Sequence, residues 1–183
     1  MTRRKKAKVN CHVWSVDKFA IRFQFRFMPK SLPVPPGHEH STPYLTCRNT
    51  VQAIEFYKKA FGAKELMRLP MPDGKMGHAE IKIENAIIML SDEFPEYGAQ
   101  SPATLGGTTV GVMIYVPDVD AFAANAVKHG AKLVMPVEDQ FYGDRSCRLL
   151  DPEGHKWYFA THIEDVSPDE MNRRAQKLFG GAK

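Results

Sequence analysis

The chain has 183 residues, which is enough for one domain or two tightly packed small modules. Its net charge at pH 7 is only +4, and much of the excess comes from a basic run at the front, Arg3, Arg4, Lys5, Lys6 and Lys8. Because the remainder is close to neutral, the charge argues against a nucleic-acid-binding surface. The basic run itself is typical of a solvated tail.

The cysteines and the hydropathy pattern indicate the compartment. Cys11, Cys47 and Cys147 lack CxxC spacing, so neither a disulfide framework nor a structural zinc site is predicted. No apolar run approaches the roughly 20 residues that cross a bilayer, and the basic N-terminus lacks the apolar core of a signal peptide. We therefore expect a cytoplasmic protein that binds neither membranes nor nucleic acid.

Residues 1–40 differ from the rest and are interpreted as a flexible N-terminal extension. The segment "FAIRFQFRF" at residues 19–27 alternates apolar and polar residues and fits a strand, although nothing near it resembles a hairpin partner. The proline-rich residues 28–40 are expected to be extended. One hypothesis is that translation begins at Met28 and that residues 1–27 are a mis-called start.

The patterns sharpen from Ser41, and residues 41–91 predict a first module. A strand at residues 42–47 precedes a helix at residues 49–62, which Asn49 or Thr50 can cap and Gly62 can end. Alternation and turn residues then predict three strands, at residues 64–69, 77–84 and 86–91. The apolar stripe of the helix is predicted to comprise Val51, Ile54, Tyr57 and Phe61.

After a linker at residues 92–107, the same series repeats in a second module, residues 108–165. A strand at residues 109–116 precedes a helix that Asp118 can cap, and three more strands follow, the last at residues 155–162. Both helices end in Gly-Ala-Lys, which favours two copies of one βαβββ unit. Residues 166–183 predict a C-terminal helix and tail, with Ser167 as cap and Pro168 in the first position.

Several segments together resemble one superfamily. They are "AIEFYKKAFGA", "TPYL", "GHAEIKI", "SPATLGG", "FYGDR" and "DPEGHKW". The chain is similar to the vicinal-oxygen-chelate (glyoxalase/bleomycin resistance/dioxygenase) superfamily over residues 41–171, and most of all to its PhnB-like branch. The resemblance implies a single glyoxalase-like α+β domain, in which two tandem modules curl mixed sheets around a cavity with the helices outside. It also implies a homodimer, since paired modules in this superfamily often come from two chains.

Strand alternation predicts which side chains face that cavity. In the fifth strand, Val110, Val112, Ile114 and Val116 are expected to pack under the helix; in the last, Trp157 and Phe159 do so. The opposite faces and the loop at residues 140–145 would line the cavity with Tyr44, Met89, Met113, Tyr115, Tyr142, Arg145 and Tyr158. Met and aromatic side chains suit adaptable binding of a small organic ligand.

The resemblance also implies where a metal would bind. Metal enzymes of the superfamily take one His, Gln or Glu ligand from the first and fourth strand of each module, and the matching positions here are Thr42, Met89, Gly111 and Tyr158. None is a usual ligand for a hard or borderline divalent ion. We therefore expect no metal at the usual positions and no cofactor. A displaced site would have three candidate ligands, His78, Glu80 and His162.

The loop "QFYGDR" at residues 140–145 has two interpretations. Phe141 and Tyr142 offer aromatic faces, and Asp144 and Arg145 offer charges, a combination that fits a pocket for a planar or anionic molecule. The alternative is an Asp144–Arg145 pair that fixes a hairpin. Cys147 lies near two arginines, which would favour its thiolate if it were exposed.

Three functions stay open from the sequence. The first is a metal-free protein that binds a small organic ligand, and the second is a glyoxalase-type lyase or isomerase with a relocated metal near His78 and Glu80. The third is an interaction module whose cavity is filled by side chains. A methyltransferase is not supported, because no glycine-rich loop joins the first strand to the helix.

Overall fold

Residues 32–180 are described by the structure, which is a computed structural model of the chain. The strand predicted at residues 19–27 and the hypothesis of a start at Met28 concern residues outside this range. From Val34 onward the chain forms one compact unit, which contains every helix and strand given below.

The first module has the predicted order. Asn49 caps α1, since its side chain accepts a hydrogen bond from the Gln52 amide, and Gly62 ends the helix in the left-handed conformation at φ 65°. Ile54, Tyr57 and Phe61 are buried as predicted, but Val51 is wrongly placed in the stripe, because its side chain is exposed. The elements are β1 (Tyr44–Cys47), α1 (Thr50–Phe61), β2 (Lys64–Pro70), β3 (Met76–Ile83) and β4 (Ala86–Asp92).

The linker and the second module follow. The linker is more structured than predicted, with a 3-10 turn at Pro95–Tyr97 and a short helix α2 (Pro102–Leu105). Asp118 caps α3 as predicted, by accepting from the Ala121 amide. The remaining elements are β5 (Gly111–Tyr115), α3 (Val119–Lys128), β6 (Lys132–Asp139), β7 (Asp144–Leu150), β8 (Lys156–His162) and α4 (Pro168–Phe179).

Two mixed sheets result, in agreement with the predicted α+β class. Their strand orders are β1-β4-β3-β2 and β5-β8-β7-β6, and in each the first pair is parallel while the others are antiparallel. The two sheets are not closed into one. They stay separate four-stranded sheets, and the edge strands β1 and β5 leave open space between them.

The strand starts correct two predictions. β1 begins at Tyr44, so Thr42 precedes the strand. β5 begins at Gly111, so Val110 lies outside the sheet and is 66 % exposed. The prediction that Val110 packs under the helix was therefore wrong, whereas Ile114 and Val116 are buried as expected.

The two helices pack against each other and join the cores of both modules. Phe61 of α1 contacts Phe122 of α3 and Phe159 of β8, with ring centroids 5.6 and 5.0 Å away. The side-chain amide of Asn125 on α3 donates to the carbonyls of Lys59 and Ala60 at the end of α1. One hydrophobic core therefore spans the first and second modules.

A buried carboxylate ties the modules together at the turn "DPEG". Asp151 is only 6 % exposed. Its Oδ2 accepts from the Tyr57 hydroxyl of α1 at 2.6 Å and from Trp157 Nε1 of β8 at 2.8 Å. Its Oδ1 accepts from the amides of Glu153 and His155, both at 2.9 Å. Four donors thus satisfy a group that would be costly to bury alone.

The same turn also holds the end of β1. Glu153 accepts from the Arg48 amide at 2.7 Å, and His155 Nε2 lies 3.0 Å from the Thr46 carbonyl. His155 is therefore a structural residue of the turn. The turn of the second module fixes the edge strand of the first, and so it sets the position of β1 next to β5.

The C-terminal helix α4 begins as predicted, with Ser167 Oγ accepting from the Glu170 amide at 3.3 Å. Arg174 of this helix pairs with Glu164 and Glu170. Among residues 32–180, no helix combines the length and the apolar character needed to span a membrane.

Replacing Asp151 tests this junction. In Asp151→Ala the buried Tyr57 hydroxyl and Trp157 indole N–H lose their acceptor, so we expect the free energy of unfolding to fall by about 3–5 kcal/mol. Urea denaturation followed by fluorescence measures it. Asp73→Ala is the matched control, because Asp73 accepts from one amide in an exposed turn. Equal midpoints for the two variants would contradict the role of Asp151.

Candidate functional site

Each sheet has one face packed under the helices and one face turned away from them, which we call the open face. Alternation with buried Leu45, Leu90, Ile114 and Phe159 places five of the predicted cavity residues on the open faces, namely Tyr44, Met89, Met113, Tyr115 and Tyr158. Tyr44 and Tyr115 are 52 % and 55 % exposed there, and Met113 is exposed as well. Met89 and Tyr158 are half-buried. A surface so rich in Tyr and Met is unusual outside binding sites.

Two cavities lie between the modules, one at each end of the gap between β1 and β5. The first has a volume of about 800 Å³ and is lined by Ile87, Met113 and Tyr115, among others. The second has a volume of about 760 Å³ and is lined by Tyr44, Gly111 and Met113, among others. Thr42 lines both. These volumes are in the range of small-molecule sites.

Gly111, at one of the usual metal-ligand positions, is covered by the side chain of Tyr158, which is at another. The ring of Tyr158 lies so close over Gly111 that a Cβ on Gly111 would be 2.1 Å from Tyr158 Cε2. The Arg148 guanidinium lies over the same ring, 5.0 Å from its centroid, in cation–π geometry. Tyr158 is therefore held between a glycine backbone and an arginine. No side chain from position 111 could reach a metal without moving this ring.

The displaced candidates His78 and Glu80 do share the open face of β3. His78 Nδ1 is 2.9 Å from the Tyr44 hydroxyl, and His78 Nε2 is 3.3 Å from Glu80 Oε1. The Nε2 of His38 lies 3.8 Å from Glu80 Oε2. Within the described part of the chain, however, no group of three or more His, Cys, Asp or Glu side chains is arranged to hold a metal ion.

The third displaced candidate, His162, belongs to a separate cluster at the end of β8. Its Nδ1 is 2.8 Å from Asp144 Oδ1, and its Nε2 is 3.0 Å from Asp165 Oδ1. Asp144 also accepts from the Tyr115 hydroxyl at 2.6 Å. The hydrogen bond with Asp144, and then that with Asp165, raises the pKa of His162 above its ordinary value near 6.5. Both ring nitrogens of His162 thus have a carboxylate partner.

Arg145 is the predicted cavity residue that the structure places elsewhere. It lies on the helix side of β7, where its guanidinium binds Asp120 of α3 at 2.6 and 2.7 Å and Asp139 at 2.8 Å. The alternative of an Asp144–Arg145 pair is also wrong, because Asp144 points to the open face and binds Tyr115 and His162. Neighbouring residues of a strand face opposite sides, which separates the two charges.

The cysteines are core residues. Cys47 and Cys147 are both buried, and burial raises the pKa of each thiol. Cys147 therefore lacks the exposure that a reactive thiolate would need.

Arg148 is the open-face residue that sequence reasoning missed. The signal was present, because Asp144, Ser146 and Arg148 alternate with the buried Cys147 and Leu149. Applying the two-residue period of strands to this segment would have assigned Arg148, and not Arg145, to the open face.

The family can now be assigned. Residues 40–159 match the model of the glyoxalase/bleomycin resistance protein/dioxygenase superfamily. The chain belongs to this superfamily. The match covers both modules and ends inside β8.

Curated relatives extend this assignment without adding a function. An uncharacterized protein of Mycobacterium bovis is 42 % identical over 133 residues, which cover 71 % of this chain and 88 % of that protein. An uncharacterized protein of Mycobacterium tuberculosis is 42 % identical over the same length, which covers 71 % of this chain and 78 % of that protein.

Two solved structures share the fold. TioX from a Micromonospora species matches with a TM-score of 0.55 and 28 % identity, over 68 % of this chain and 100 % of TioX. The fosfomycin resistance protein FosX from Listeria monocytogenes matches with a TM-score of 0.51 and 16 % identity, over 72 % and 96 % of the two chains, and so supports the fold alone.

The packing of Tyr158 on Gly111 predicts a specific coupling. Gly111→Ala would force the ring aside, and we expect it to lower the free energy of unfolding by about 1–3 kcal/mol. In a Tyr158→Ala background the same substitution meets no ring and should be close to neutral. A double-mutant cycle by urea denaturation measures the coupling. Additive effects would show that the ring does not occupy this position.

The His162 cluster predicts a pH dependence with a definite sign. Because the folded pKa is raised, the stabilisation from His162 is complete below the unfolded pKa of about 6.5 and is lost as the pH rises through the folded value. The stability difference between the native protein and His162→Gln should therefore be larger at pH 6 than at about pH 8.5. Urea midpoints across this range measure it. His40→Gln is the control, and a difference that grows with pH would contradict the cluster.

Proposed function

We propose that this chain binds a small organic ligand on the open faces of its two sheets, without a metal at the superfamily's usual positions. The observation that carries the proposal is the packing of Tyr158 over Gly111 under Arg148. It replaces two of the four usual ligand positions with an aromatic surface. Met89 and Thr42 occupy the other two, and neither is a good donor for a hard divalent ion.

The remaining open-face residues support an organic ligand. Tyr44, Met113 and Tyr115 are exposed on edge strands, next to cavities of about 800 and 760 Å³. Aromatic rings offer large contact areas with few rotatable bonds, and Met side chains adapt to irregular shapes. Tyr hydroxyls can orient polar groups of the ligand.

Assembly and subfamily form part of the same proposal. The open faces leave large apolar side chains in contact with solvent, and the sheet of a second copy would cover them. We therefore propose a homodimer, cytoplasmic in location, from the PhnB-like branch of the superfamily. The segments "GHAEIKI", "FYGDR" and "DPEGHKW" support that branch.

A metal-dependent lyase or isomerase is the second candidate. It is favoured by one observation, that His38 and His78 approach different oxygens of Glu80, at 3.8 and 3.3 Å. In that case His78 and Glu80 would be ligands and Tyr44 would orient His78. The four usual positions would take no part.

Metal content and a ligand screen separate the two candidates. We expect protein purified without added metal or chelator to contain much less than one divalent ion per chain, and Zn²⁺, Ni²⁺ or Mn²⁺ to leave its thermal midpoint unchanged. A screen of small aromatic and aliphatic compounds should contain ligands that raise the midpoint. Those shifts should fall in Tyr158→Ala. The exposed Tyr97→Ala serves as the matched control.

Two other outcomes would each favour a different function. One tightly held metal per chain that is lost in His78→Ala would establish the second candidate. If no compound in the screen binds and no metal is present, an interaction module becomes the better account.

A further inference from the structure

Arg148 differs from every other arginine in residues 32–180. Arg48, Arg68, Arg145, Arg173 and Arg174 each bind at least one carboxylate. Within the same range, Arg148 makes no ion pair and no side-chain hydrogen bond, and its guanidinium rests on the Tyr158 ring. A guanidinium stacked in this way keeps its planar fork of N–H donors available to a carboxylate or phosphate.

The surroundings of Arg148 add a second cation and no acid. On one side, a depression of about 170 Å³ is lined by Val134, Arg148, Leu149, Leu150, Lys156 and Tyr158. Lys156 donates to the Thr108 carbonyl and has its charge uncompensated among the described residues. On the other side, a depression of about 50 Å³ is lined by Met113, Met135 and Tyr142, among others, and again by no carboxylate.

The two acidic side chains nearest in sequence and register, Asp144 and Glu138, make no ion pair with Arg148. Asp144, two strand rows from Arg148, is buried and accepts from Tyr115 and His162. Glu138 pairs in register with Ser146 and makes no ion pair with Arg148. Arg148 and Lys156 thus lie among apolar side chains without a carboxylate partner. A bound oxyanion would supply the missing negative charge.

We propose that the ligand is an organic oxyanion. Arg148 and Lys156 bind its carboxylate or phosphate group, and its apolar part lies against Val134 and the edge of the Tyr158 ring. The inference rests on the proposed function, because it names the chemical class of the ligand on the same open face. It also moves the anion-binding role that the sequence suggested for Arg145 to Arg148. Tyr158 acts as the support that holds the guanidinium in place.

Binding of four probes to the full chain tests this inference. The probes are benzoate, phenyl phosphate, the neutral benzamide and inorganic phosphate. Their binding is measured from changes in the amide chemical shifts of β7 and β8. Ligands of this size bind in the millimolar range. We expect benzoate or phenyl phosphate to bind saturably, and benzamide and inorganic phosphate to bind at least about 10-fold more weakly. Which anion binds more tightly distinguishes a carboxylate from a phosphate ester.

The variants locate the charge. Arg148→Met should weaken the binding of the organic anion about 10- to 100-fold, and Arg148→Lys should weaken it less. Arg173→Met is the matched control, because Arg173 pairs with Glu170 on the exposed face of α4. Unfolding midpoints of all variants establish that they are folded. Should Arg148→Met fail to fold, Lys156→Met supplies the same comparison.

Each other outcome overturns the inference in a distinguishable way. Equal binding of benzoate and benzamide, unaffected by Arg148→Met, would leave an organic-ligand site but no oxyanion site. Inorganic phosphate binding as well as phenyl phosphate would show a site for the ion alone. No binding by either organic anion at about 10 mM would overturn the oxyanion inference, and failure of the ligand screen as well would overturn the proposed function.

Discussion

The buried carboxylate of Asp151 is the constraint on which the arrangement of the two modules depends. It joins Tyr57 of α1 to Trp157 of β8, and both of these side chains are fully buried in the common core. An unpaired carboxylate or an unpaired donor at that depth would cost several kcal/mol, so the turn, the helix and the strand must stay together. Through Glu153 and His155 the same turn fixes the end of β1. The gap between β1 and β5, where the cavities lie, is thus set by one hydrogen-bonded turn.

Much of the fold could be predicted because its signals are local. Caps such as Asn49, Asp118 and Ser167 lie within three residues of the amides that they accept from. Strand alternation correctly identified Trp157 and Phe159 of β8 as buried. The strand starts were less predictable, since Thr42 and Val110 continue the alternating pattern beyond the last ladder hydrogen bonds. Local sequence also does not determine whether two sheets close.

The candidate site was harder to predict, because its contacts join distant parts of the chain. Arg145 binds Asp120, which lies 25 residues earlier on α3. His38 approaches Glu80 across the first module. The covering of Gly111 by Tyr158 needs the parallel register of β5 and β8, in which Met113 lies opposite Tyr158 and Gly111 opposite Lys156. Sequence reasoning named positions 111 and 158 as poor metal ligands, but only the register explains how one residue fills the space of the other.

We propose that the open faces hold an organic ligand in place of a metal. Native mass spectrometry of the full chain, purified without added metal, tests this proposal, because one spectrum reports bound metal, copurified organic ligand and the number of chains. We expect a dimer without stoichiometric metal, and a mass excess from an organic ligand that disappears on denaturation. A spectrum with one divalent ion per chain and no organic mass would contradict it.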